Sequence, residues 1–350
     1  MPRSSAARAS LALSQAQIVA FRRAAQGLDV RLPTGARSLR TAAWAGLQDS
    51  MPRAALLSIH ARMRGTQPEA WEAPSLTQVW GPRYSTYVVD GRDAALFTLA
   101  RLPDGGATRR VAEALADRLA TALAGGPMLH GDVARALGEP ANRLRYATLT
   151  GRLRIRWDGA RQCTLWAVPA PATDARAARL ELARRFLHVF GPADAEGFAA
   201  WAGLGGAGAA DAFETLGRDV IPVRTPIGDA VLLAADESTA RRPSTAPAAA
   251  RLLPSGDTFF LFHRAIDRAL LVERAAHRAR LWTSRVWPGA LLVNGVIAGT
   301  WRRAHDAVTI EPWRTLSPGE RATVEAEVAS LPLPGLSGPI DTRWERGRQA

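Results

Sequence analysis

Lysine is missing from this sequence of 350 residues, so all 45 residues counted as lysine or arginine are arginines. This absence excludes the chemistry that needs an amine on a flexible stem, such as a phosphate-loop lysine, a pyridoxal Schiff base or a lysine-dependent lyase step. Cysteine is almost absent as well, since Cys163 stands alone. A single cysteine excludes a disulfide within the chain and zinc sites that need two or more thiolates.

Long hydrophobic runs and common catalytic signatures are also missing. The longest uncharged stretch covers residues 286–301, and its Asn294-Gly295 pair indicates a hairpin instead of a membrane span. Arg3 and Arg8 precede no apolar leader segment, so we expect a cytoplasmic, nucleoid-associated protein with no membrane partner. The six histidines lack metal-ligand spacing, and no metalloprotease, serine-hydrolase or dinucleotide motif occurs. We therefore expect no metal and no organic cofactor.

The charge that is present is strongly positive. The 45 arginines stand against 32 acidic residues and leave a formal net charge of +13. A surplus of this kind favours a polyanionic partner, because a guanidinium group can fork onto phosphate oxygens. The preference for arginine over lysine can reflect codon usage alone, but codon usage does not explain the surplus.

Arginines concentrate between residues 142 and 161, where six of them stand against a single acid, Asp158. They are Arg143, Arg145, Arg152, Arg154, Arg156 and Arg161. Arg152, Arg154 and Arg156 alternate along a predicted strand, so their side chains leave one face and repel unless phosphates or carboxylates neutralise them. Two interpretations stay open, a phosphate-binding surface and a solvated strand face. Seven further arginines in the first 40 residues fit a flexible basic arm.

The order of predicted helices and strands repeats three times. Each repeat has three helices followed by two strands around a turn, and the units span residues 11–101 (first unit), 106–172 (second unit) and 173–238 (third unit). This order is that of a winged helix, in which the third helix enters a DNA groove and the strand pair lies against the backbone. Winged helices also dock proteins, so a protein-docking scaffold stays an alternative.

Two further segments complete the predicted architecture. Residues 239–251 are rich in proline, serine and alanine, which indicates a linker. Residues 252–335 (C-terminal unit) predict a small β-barrel or sheet closed by a helix capped at Ser317. The predicted strands of this unit cover residues 258–262, 290–294, 296–302 and 307–312. We therefore expect an α+β fold with three tandem winged-helix units followed by a small C-terminal β-barrel.

Local signals set several boundaries. Ser14 and Gln17 form a capping-box pattern at the start of the first helix. Asn294-Gly295 supplies the two left-handed positions of a type I′ hairpin turn. Pro52 is predicted to occupy the first turn of the third helix, where a missing N–H costs little.

The junction before that third helix carries an amide, a carboxylate and a hydroxyl in succession, on Gln48, Asp49 and Ser50. By residue type alone, Asp49 or Ser50 is an N-cap for the helix. Because the other catalytic signatures are absent, this cluster is also the remaining candidate for chemistry.

Five motifs along the chain are similar to those of one known family. They are GLQDSMPR at 46–53, VWGPRYSTYVV at 79–89, GRLRIRW at 151–157, RRFLHVFGP at 184–192 and GVIAGTWR at 295–302. Together they resemble the winged-helix DNA-binding domain family that includes the AlkZ-like DNA glycosylases, over roughly residues 11 to 331.

The resemblance implies a C-shaped array of winged helices that cradles double-stranded DNA, and excision of N7-alkylated purines or unhooking of alkyl crosslinks. The family's catalytic motif is a Gln, a spacer, then Gln or Asp. Gln48 matches the first position, Asp49 takes the spacer position, and Ser50 stands where the second Gln or Asp is expected. Tyr87 stands where many relatives have a histidine. The implied DNA-binding residues are Arg53, Arg83, Tyr84, Arg143, Arg145, Arg152, Arg154 and Arg156.

The chemistry of the implied reaction sets what the site must do. An N7-alkylpurine is already cationic and departs without protonation, so the enzyme has to stabilise an oxocarbenium-like sugar and place a water. Without lysine, the expected glycosylase is monofunctional and leaves an abasic site. It is separately expected to act as a monomer and to need no cofactor. Ser50 favours an alternative, a non-catalytic DNA-binding protein that serves as a transcriptional regulator or lesion sensor.

Overall fold

The structure is a computed structural model that describes residues 11–159, 162–242, 249–336 and 338–345. Arg3, Arg8 and Arg161 lie outside the described residues, as do residues 243–248 of the predicted linker. The fold is α+β, as predicted. None of the helices within the described ranges is both long and apolar enough to cross a lipid bilayer.

The helices and strands follow one another in short segments. The α-helices of the described residues are α1 (Gln15–Ala25), α2 (Ala36–Ala42), α3 (Ala54–Arg62), α4 (Ala94–Leu99), α5 (Ala107–Ala122), α6 (His130–Leu137), α7 (Ala175–Phe190), α8 (Ala195–Ala202), α9 (Gly206–Leu216), α10 (Glu237–Ala240), α11 (Ala265–Ala269), α12 (Ala275–Leu281) and α13 (Pro318–Ala329). The strands are β1 (Leu11–Ala12), β2 (Leu47–Gln48), β3 (Leu76–Trp80), β4 (Thr86–Asp90), β5 (Met128–Leu129), β6 (Leu153–Arg156), β7 (Thr164–Ala167), β8 (Val220–Thr225), β9 (Gly228–Leu233), β10 (Ala250–Leu253), β11 (Gly289–Val293), β12 (Val296–Ala304), β13 (Ala307–Pro312) and β14 (Asp341–Trp344). Segments of 3-10 helix cover Ala70–Glu72, Pro82–Tyr84, Gly91–Asp93, Ala141–Thr150, Gly217–Asp219 and Ala234–Asp236.

Three helices followed by two strands are found in each of the three units, and in the second unit the third helix is the 3-10 helix Ala141–Thr150. The identification of these units as winged helices stays a prediction. The predicted capping box of Ser14 and Gln17 is confirmed at the start of α1. The predicted N-terminus of α3 is wrong, because Arg53 adopts a left-handed φ of 68° and the helix begins at Ala54, after Pro52.

The strand pairs of the first two units form one six-stranded sheet, in the order β2-β4-β3-β6-β7-β5. The two pairs meet where β3 and β6 run antiparallel, with Gln78 opposite Ile155. Strand β6, which carries the alternating arginines, therefore has a neighbour on each side and is not a free ribbon.

The sheet of the third unit includes a strand from the beginning of the described chain. Strand β1 pairs in parallel with β8, and the N–H of Leu13 continues the ladder by donating to Arg224 O at 3.0 Å. Strands β1, β8 and β9 thus form a three-stranded sheet, which ties the start of the first unit to the third.

The C-terminal unit is built on an open sheet of five strands, in the order β10-β11-β12-β13-β14. Within the described residues its two edge strands, β10 and β14, do not pair with each other, so the predicted barrel is a sheet here. Asn294 and Gly295 join β11 to β12 with φ values of 51° and 80°, which confirms the left-handed positions of the predicted hairpin turn.

Two sequence predictions near this sheet are wrong. Residues 258–260 form a turn and residues 261–262 have no regular structure, so the predicted strand is absent at 258–262; Phe259 and Phe260 are fully buried. The turn is held by local and distant bonds, since Asp257 Oδ1 accepts from Phe259 N at 2.9 Å and Trp282 Nε1 donates to Phe260 O at 3.0 Å. The linker predicted at 239–251 is shorter than expected at both ends, because its ends lie in α10 and β10.

Candidate active site

The candidate catalytic residues lie on one loop, which we call the Gln48 loop (residues 48–53), between β2 and α3. Gln48 lies opposite Tyr87 of β4, and the N–H of Asp49 extends the pairing by donating to Thr86 O at 2.8 Å. This extended backbone alternates its side chains, so Gln48 is half-buried, Asp49 is buried and Ser50 is exposed.

A glycine just before β2 lets this loop approach the core. Gly46 has a φ of 71°, and a Cβ there would lie 2.8 Å from Phe97 Cε1 and 2.9 Å from Tyr87 Cδ1. The side chain of Tyr87 is itself buried, and burial raises the pKa of its phenol well above the usual range. Tyr87 therefore supports the Gln48 loop from below as a neutral ring.

Gln48 and Ser50 are brought together. The Gln48 Nε2 donates to Ser50 Oγ at 3.1 Å, which fixes which end of the amide faces the hydroxyl. The amide end also borders Gly256 of the C-terminal unit. The first and third positions of the predicted catalytic motif thus form one polar pair at the surface.

Asp49 points the other way, into the protein. Its Oδ1 accepts from Ala55 N at 3.0 Å, so the carboxylate satisfies a first-turn N–H of α3. Its Oδ2 accepts from Gln78 Nε2 at 3.0 Å. Burial raises the pKa of Asp49 to about 7, against the opposing effects of the Ala55 N–H, Arg53 and Gln78. The predicted N-cap role is wrong for Asp49 and for Ser50, because the N-cap of α3 is Arg53, although Asp49 still accepts from a first-turn N–H of the helix.

Ser50 opens onto a cleft between the first and second units, with a volume of about 350 Å³, which we call the Ser50 cleft. Its lining residues are Ser50, Trp80, Arg83, Tyr84, Ser85, Thr86, His130, Arg145, Trp157 and Cys163. An adjoining depression of about 280 Å³ shares Arg83, Tyr84 and Arg145 and adds Asn142 and Tyr146. Four of the predicted site residues, from two units, therefore line one cleft.

The Ser50 cleft carries positive charge without a matching acid. Arg83 is exposed and donates to Ala200 O at 3.2 Å, while Arg145 lies over the Trp80 ring at 5.5 Å and has a buried Nε with no hydrogen-bond partner. Within the described ranges neither guanidinium forms an ion pair. Burial and the nearby Arg145 lower the pKa of His130, which donates from Nε2 to Ala141 O at 2.7 Å. The cleft is therefore suited to an anionic group.

Tyr84 forms one wall of this cleft. Its ring packs edge-on against Tyr146 at 5.4 Å, and the Arg101 guanidinium lies 4.1 Å from the ring centroid on another side. Burial raises the pKa of the Tyr84 phenol. Tyr84 is thus a rigid, neutral aromatic surface beside two arginines.

The alternating arginines of β6 share a face, as the period of two predicts, while Leu153 and Ile155 are buried on the other face. Two of the three are neutralised by carboxylates. Arg152 Nη1 donates to Asp117 Oδ1 at 2.6 Å, and Arg156 pairs with Glu72. Among the residues that the structure describes, Arg154 has no carboxylate partner, and it donates to Gly151 O and Leu153 O at 3.0 and 3.1 Å.

The remaining two predicted contacts also have partners within the protein. Arg143 pairs with Glu139 at 3.5 Å. Arg53 donates to Asp158 O at 2.6 Å and lies 4.2 Å from the Trp71 ring, whose other neighbour is the Arg156 guanidinium at 4.3 Å. The DNA-binding roles of these arginines stay predictions, and phosphates would have to share or displace their present partners.

Sequence reasoning missed an apolar groove of about 260 Å³ on the opposite side of the Gln48 loop. Its lining residues are Met51, Pro52, Ala54, Leu57, Pro254, Ser255, Val286, Trp287, Pro288, Gly289, Trp301, Arg302 and Arg303. The uncharged run at 286–301 with arginines at both ends is the signal that could have indicated it. His130 and Trp157 of the Ser50 cleft were missed too, because their position depends on how the first two units pack.

Comparison with known proteins gives one family match and one structural match. The profile of the family described as DNA glycosylase AlkZ-like matches residues 41–332. The solved structure of DNA glycosylase AlkZ from Streptomyces sahachiroi covers 96% of this chain and 100% of its own, with a TM-score of 0.76 and 17% sequence identity, which shows a shared fold. No curated protein sequence matches the chain. Because the family profile covers most of its length, the chain belongs to the AlkZ-like DNA glycosylase family.

Proposed function

We propose that this protein is a monofunctional DNA glycosylase that excises N7-alkylated purines from double-stranded DNA by hydrolysis of the N-glycosidic bond. One observation carries the proposal: in a chain of this family, Gln48 is hydrogen-bonded to Ser50, which lines a cleft whose two arginines have no acid partner among the described residues. The same reaction at a crosslinked purine would unhook the two strands.

The proposed reaction needs no acid for the leaving group. The bond from C1′ to N9 breaks with its electron pair moving to the cationic purine, which leaves as a neutral base. A water molecule then adds to C1′ and loses its proton to solvent. The carbonyl dipole of Gln48 faces the developing positive charge, while Ser50, which accepts from Gln48 Nε2 at 3.1 Å, has its hydroxyl proton free to orient the water.

Asp49 does not take part in this step. Its carboxylate is fully buried and bonded to Ala55 N and Gln78 Nε2, so it supports the loop instead of touching the sugar. No lysine is available to form a Schiff base, and an abasic site is therefore the expected product.

The grip on DNA is assigned to the arginines. Arg83 and Arg145 have no acid partner within the described ranges, so they are the first candidates for phosphates beside the flipped nucleotide. The extruded base would enter the Ser50 cleft between its aromatic walls. In this proposal the three helix-and-ribbon units act as tandem winged helices, and the protein acts as a monomer.

A non-catalytic DNA-binding protein is the second candidate. The observation that favours it is Ser50, which stands where the family motif has a Gln or Asp. A regulator would select a defined sequence from random duplexes, whereas a repair enzyme binds mainly through phosphates and shape.

The deciding experiment is single-turnover excision from a duplex with one N7-methylguanine, read out as heat-labile abasic sites. We expect release by the wild type and a loss of roughly 100- to 1000-fold in Gln48→Ala, with duplex binding unchanged. Gln67→Ala, which removes an exposed amide elsewhere in the first unit, is the matched control and retains full activity.

A duplex with unmodified guanine tests the assigned chemistry, because a neutral base needs protonation to leave and no acid is placed for it. No release above background from the methylated duplex, with Gln48→Ala indistinguishable from wild type, contradicts the glycosylase proposal. Strong sequence selection without release supports the regulator.

A further inference from the structure

A turn of the C-terminal unit lies directly against the side chain of Gln48. Gly256 has a φ of 78°, and a Cβ there would lie 3.1 Å from Gln48 Cδ, 3.3 Å from Oε1 and 3.4 Å from Nε2. All three atoms belong to the amide group, so the backbone of Gly256 borders the functional end of Gln48. A side chain in this place would push the amide away.

A buried ion pair attaches this turn to the first unit. Asp257 N donates to Pro254 O at 3.0 Å, which closes the turn. The Asp257 carboxylate is fully buried and accepts from Arg62 Nη1 and Nη2 at 2.7 and 2.8 Å, and from Ser58 Oγ at 2.7 Å. Ser58 and Arg62 lie on α3, the helix that follows the Gln48 loop.

The guanidinium of Arg62 also forms hydrogen bonds to two further residues. Arg62 Nη2 also donates to Thr258 Oγ1 at 2.9 Å and to Gln26 Oε1 at 2.8 Å, and Gln26 follows the end of α1. A buried pair keeps its geometry only when its remaining polar atoms are satisfied, and here they are. The turn, α1 and α3 are therefore fixed relative to one another.

We propose that Gly256 is a positioning residue for Gln48, so that the active site is shared by the first unit and the C-terminal unit. The proposal rests on the proposed glycosylase function. Ser50 Oγ holds the Gln48 amide from one side, and the Gly256 backbone confines it from the other. A glutamine side chain has three rotatable bonds, and confinement before substrate arrives means that less order has to be gained in the transition state.

The test compares Gly256→Ala with Gly335→Ala. Gly335 has a nearly equal φ of 75° in another turn of the C-terminal unit, but a Cβ there meets no atom within 4 Å. Both variants carry the same backbone strain, and only the first crowds Gln48. We expect Gly256→Ala to lower the single-turnover excision rate by roughly 10- to 100-fold while the affinity for the lesion duplex stays within about 2-fold.

A second measurement does not depend on activity. Gln48→Ala removes the three atoms that the new methyl group would meet, but it does not relieve the backbone strain that Gly335→Ala shares. The part of the melting-temperature loss in Gly256→Ala that exceeds the loss in Gly335→Ala should therefore be regained in Gly256→Ala/Gln48→Ala. This comparison of melting temperatures can be made even when Gly256→Ala alone is too unstable for an activity assay. A double variant as unstable as Gly256→Ala shows that the crowding is elsewhere and overturns the proposal.

Loss of the positioning role and loss of the glycosylase function give different results. If the wild type excises N7-methylguanine and Gly256→Ala matches Gly335→Ala in rate, the positioning role is overturned and the glycosylase function stands. If the wild type excises nothing, the glycosylase proposal falls, and the positioning role falls with it.

Discussion

Gln78 donates from Nε2 to the Asp49 carboxylate at 3.0 Å, and the same amide holds the main chain of Trp157. Its Oε1 accepts from Trp157 N at 2.6 Å, and its Nε2 also donates to Trp157 O at 3.1 Å. Gln78 lies on β3 at the point where β3 meets β6. One buried amide thus connects the Gln48 loop, the strands of the first unit and those of the second, which together shape the Ser50 cleft.

Replacing Gln78 with leucine should destabilise the protein. Gln78→Leu keeps the approximate size of the side chain but leaves Trp157 N and a buried Asp49 oxygen without their partner. We expect a loss of about 2–4 kcal/mol in the free energy of unfolding, measured by urea titration. Gln67→Leu, at an exposed position of the same unit, should change it by less than about 0.5 kcal/mol. If the two substitutions had equal effects, the hydrogen bonds of Gln78 at this junction would make no net contribution to the free energy of unfolding.

The buried carboxyl of Asp49 predicts a pH dependence of stability. Its pKa is about 7 in the folded protein against 3.8 in the unfolded chain, so the folded state retains the proton between these values. The contribution of this group is full below about pH 4 and is lost as the pH rises to about 7. We expect the difference in unfolding free energy between wild type and Asp49→Asn to fall by a few kcal/mol, on the order of 1–4, across this window.

Urea titrations of both proteins from pH 4 to pH 8 measure this difference, and all other titrating groups cancel in the comparison. Asp132→Asn, at an acid of α6 paired with Arg135 on the surface, provides the control and should track the wild type. A difference between wild type and Asp49→Asn that stays constant with pH would mean that Asp49 is ionised throughout.

Short-range contacts explain what could be predicted from the sequence. Ser14 accepts from Gln17 N at 3.3 Å, and Ser317 accepts from Glu320 N at 3.2 Å, each across three residues. At this range the residue types decide the geometry. The hydrogen bond between Gln48 and Ser50 also spans only two residues of one short loop, but these two residues were selected by their resemblance to the family motif.

Long-range contacts explain what could not be predicted. The period of the hydrophobic residues shows which face of a segment is buried, but it does not show which other segment covers that face. For this reason the pairing of β1 with β8 and the contact of Gly256 with Gln48 could not be predicted. The alternation of Arg154 and Arg156 was predicted correctly, but their partners were not. Glu72 precedes Arg156 by 84 residues and reaches it only because β3 and β6 join.

Gly46 packs closely against the rings of Phe97 and Tyr87, so we expect Gly46→Ala to lower the free energy of unfolding strongly. The new Cβ would lie 2.8 Å from the Phe97 ring and 2.9 Å from the Tyr87 ring, and its backbone would hold a φ of 71°. Overpacking and left-handed strain together should cost about 2–5 kcal/mol in unfolding free energy. Gly138→Ala, with a φ of 63° and no atom within 4 Å, isolates the strain and should cost about 1–2 kcal/mol. Equal losses in thermal or urea unfolding would contradict the steric argument.

Arg83 and Arg145 of the Ser50 cleft have no acid partner in the part of the chain that the structure describes, and they predict the salt dependence of DNA binding. If Arg83 and Arg145 each contact a phosphate, Arg83→Gln and Arg145→Gln should each reduce the slope of log K against log salt by about 0.9. Arg152 and Arg156 already neutralise Asp117 and Glu72, so glutamine there should reduce the slope by less. Fluorescence anisotropy of a labelled duplex at several salt concentrations measures each slope.

Arg343→Gln is the matched control, because Arg343 pairs with Asp341 on the edge strand β14, at the opposite end of the C-terminal sheet from β10. This substitution should leave the slope unchanged. The size of the slope change in the four other variants, at Arg83, Arg145, Arg152 and Arg156, distinguishes two modes of binding. An ion pair already formed within the protein must be broken or shared before its arginine can release a counterion from DNA. A larger effect at Arg152 and Arg156 than at Arg83 and Arg145 would mean that DNA follows β6 and not the Ser50 cleft, and would separate the DNA path from the proposed active site.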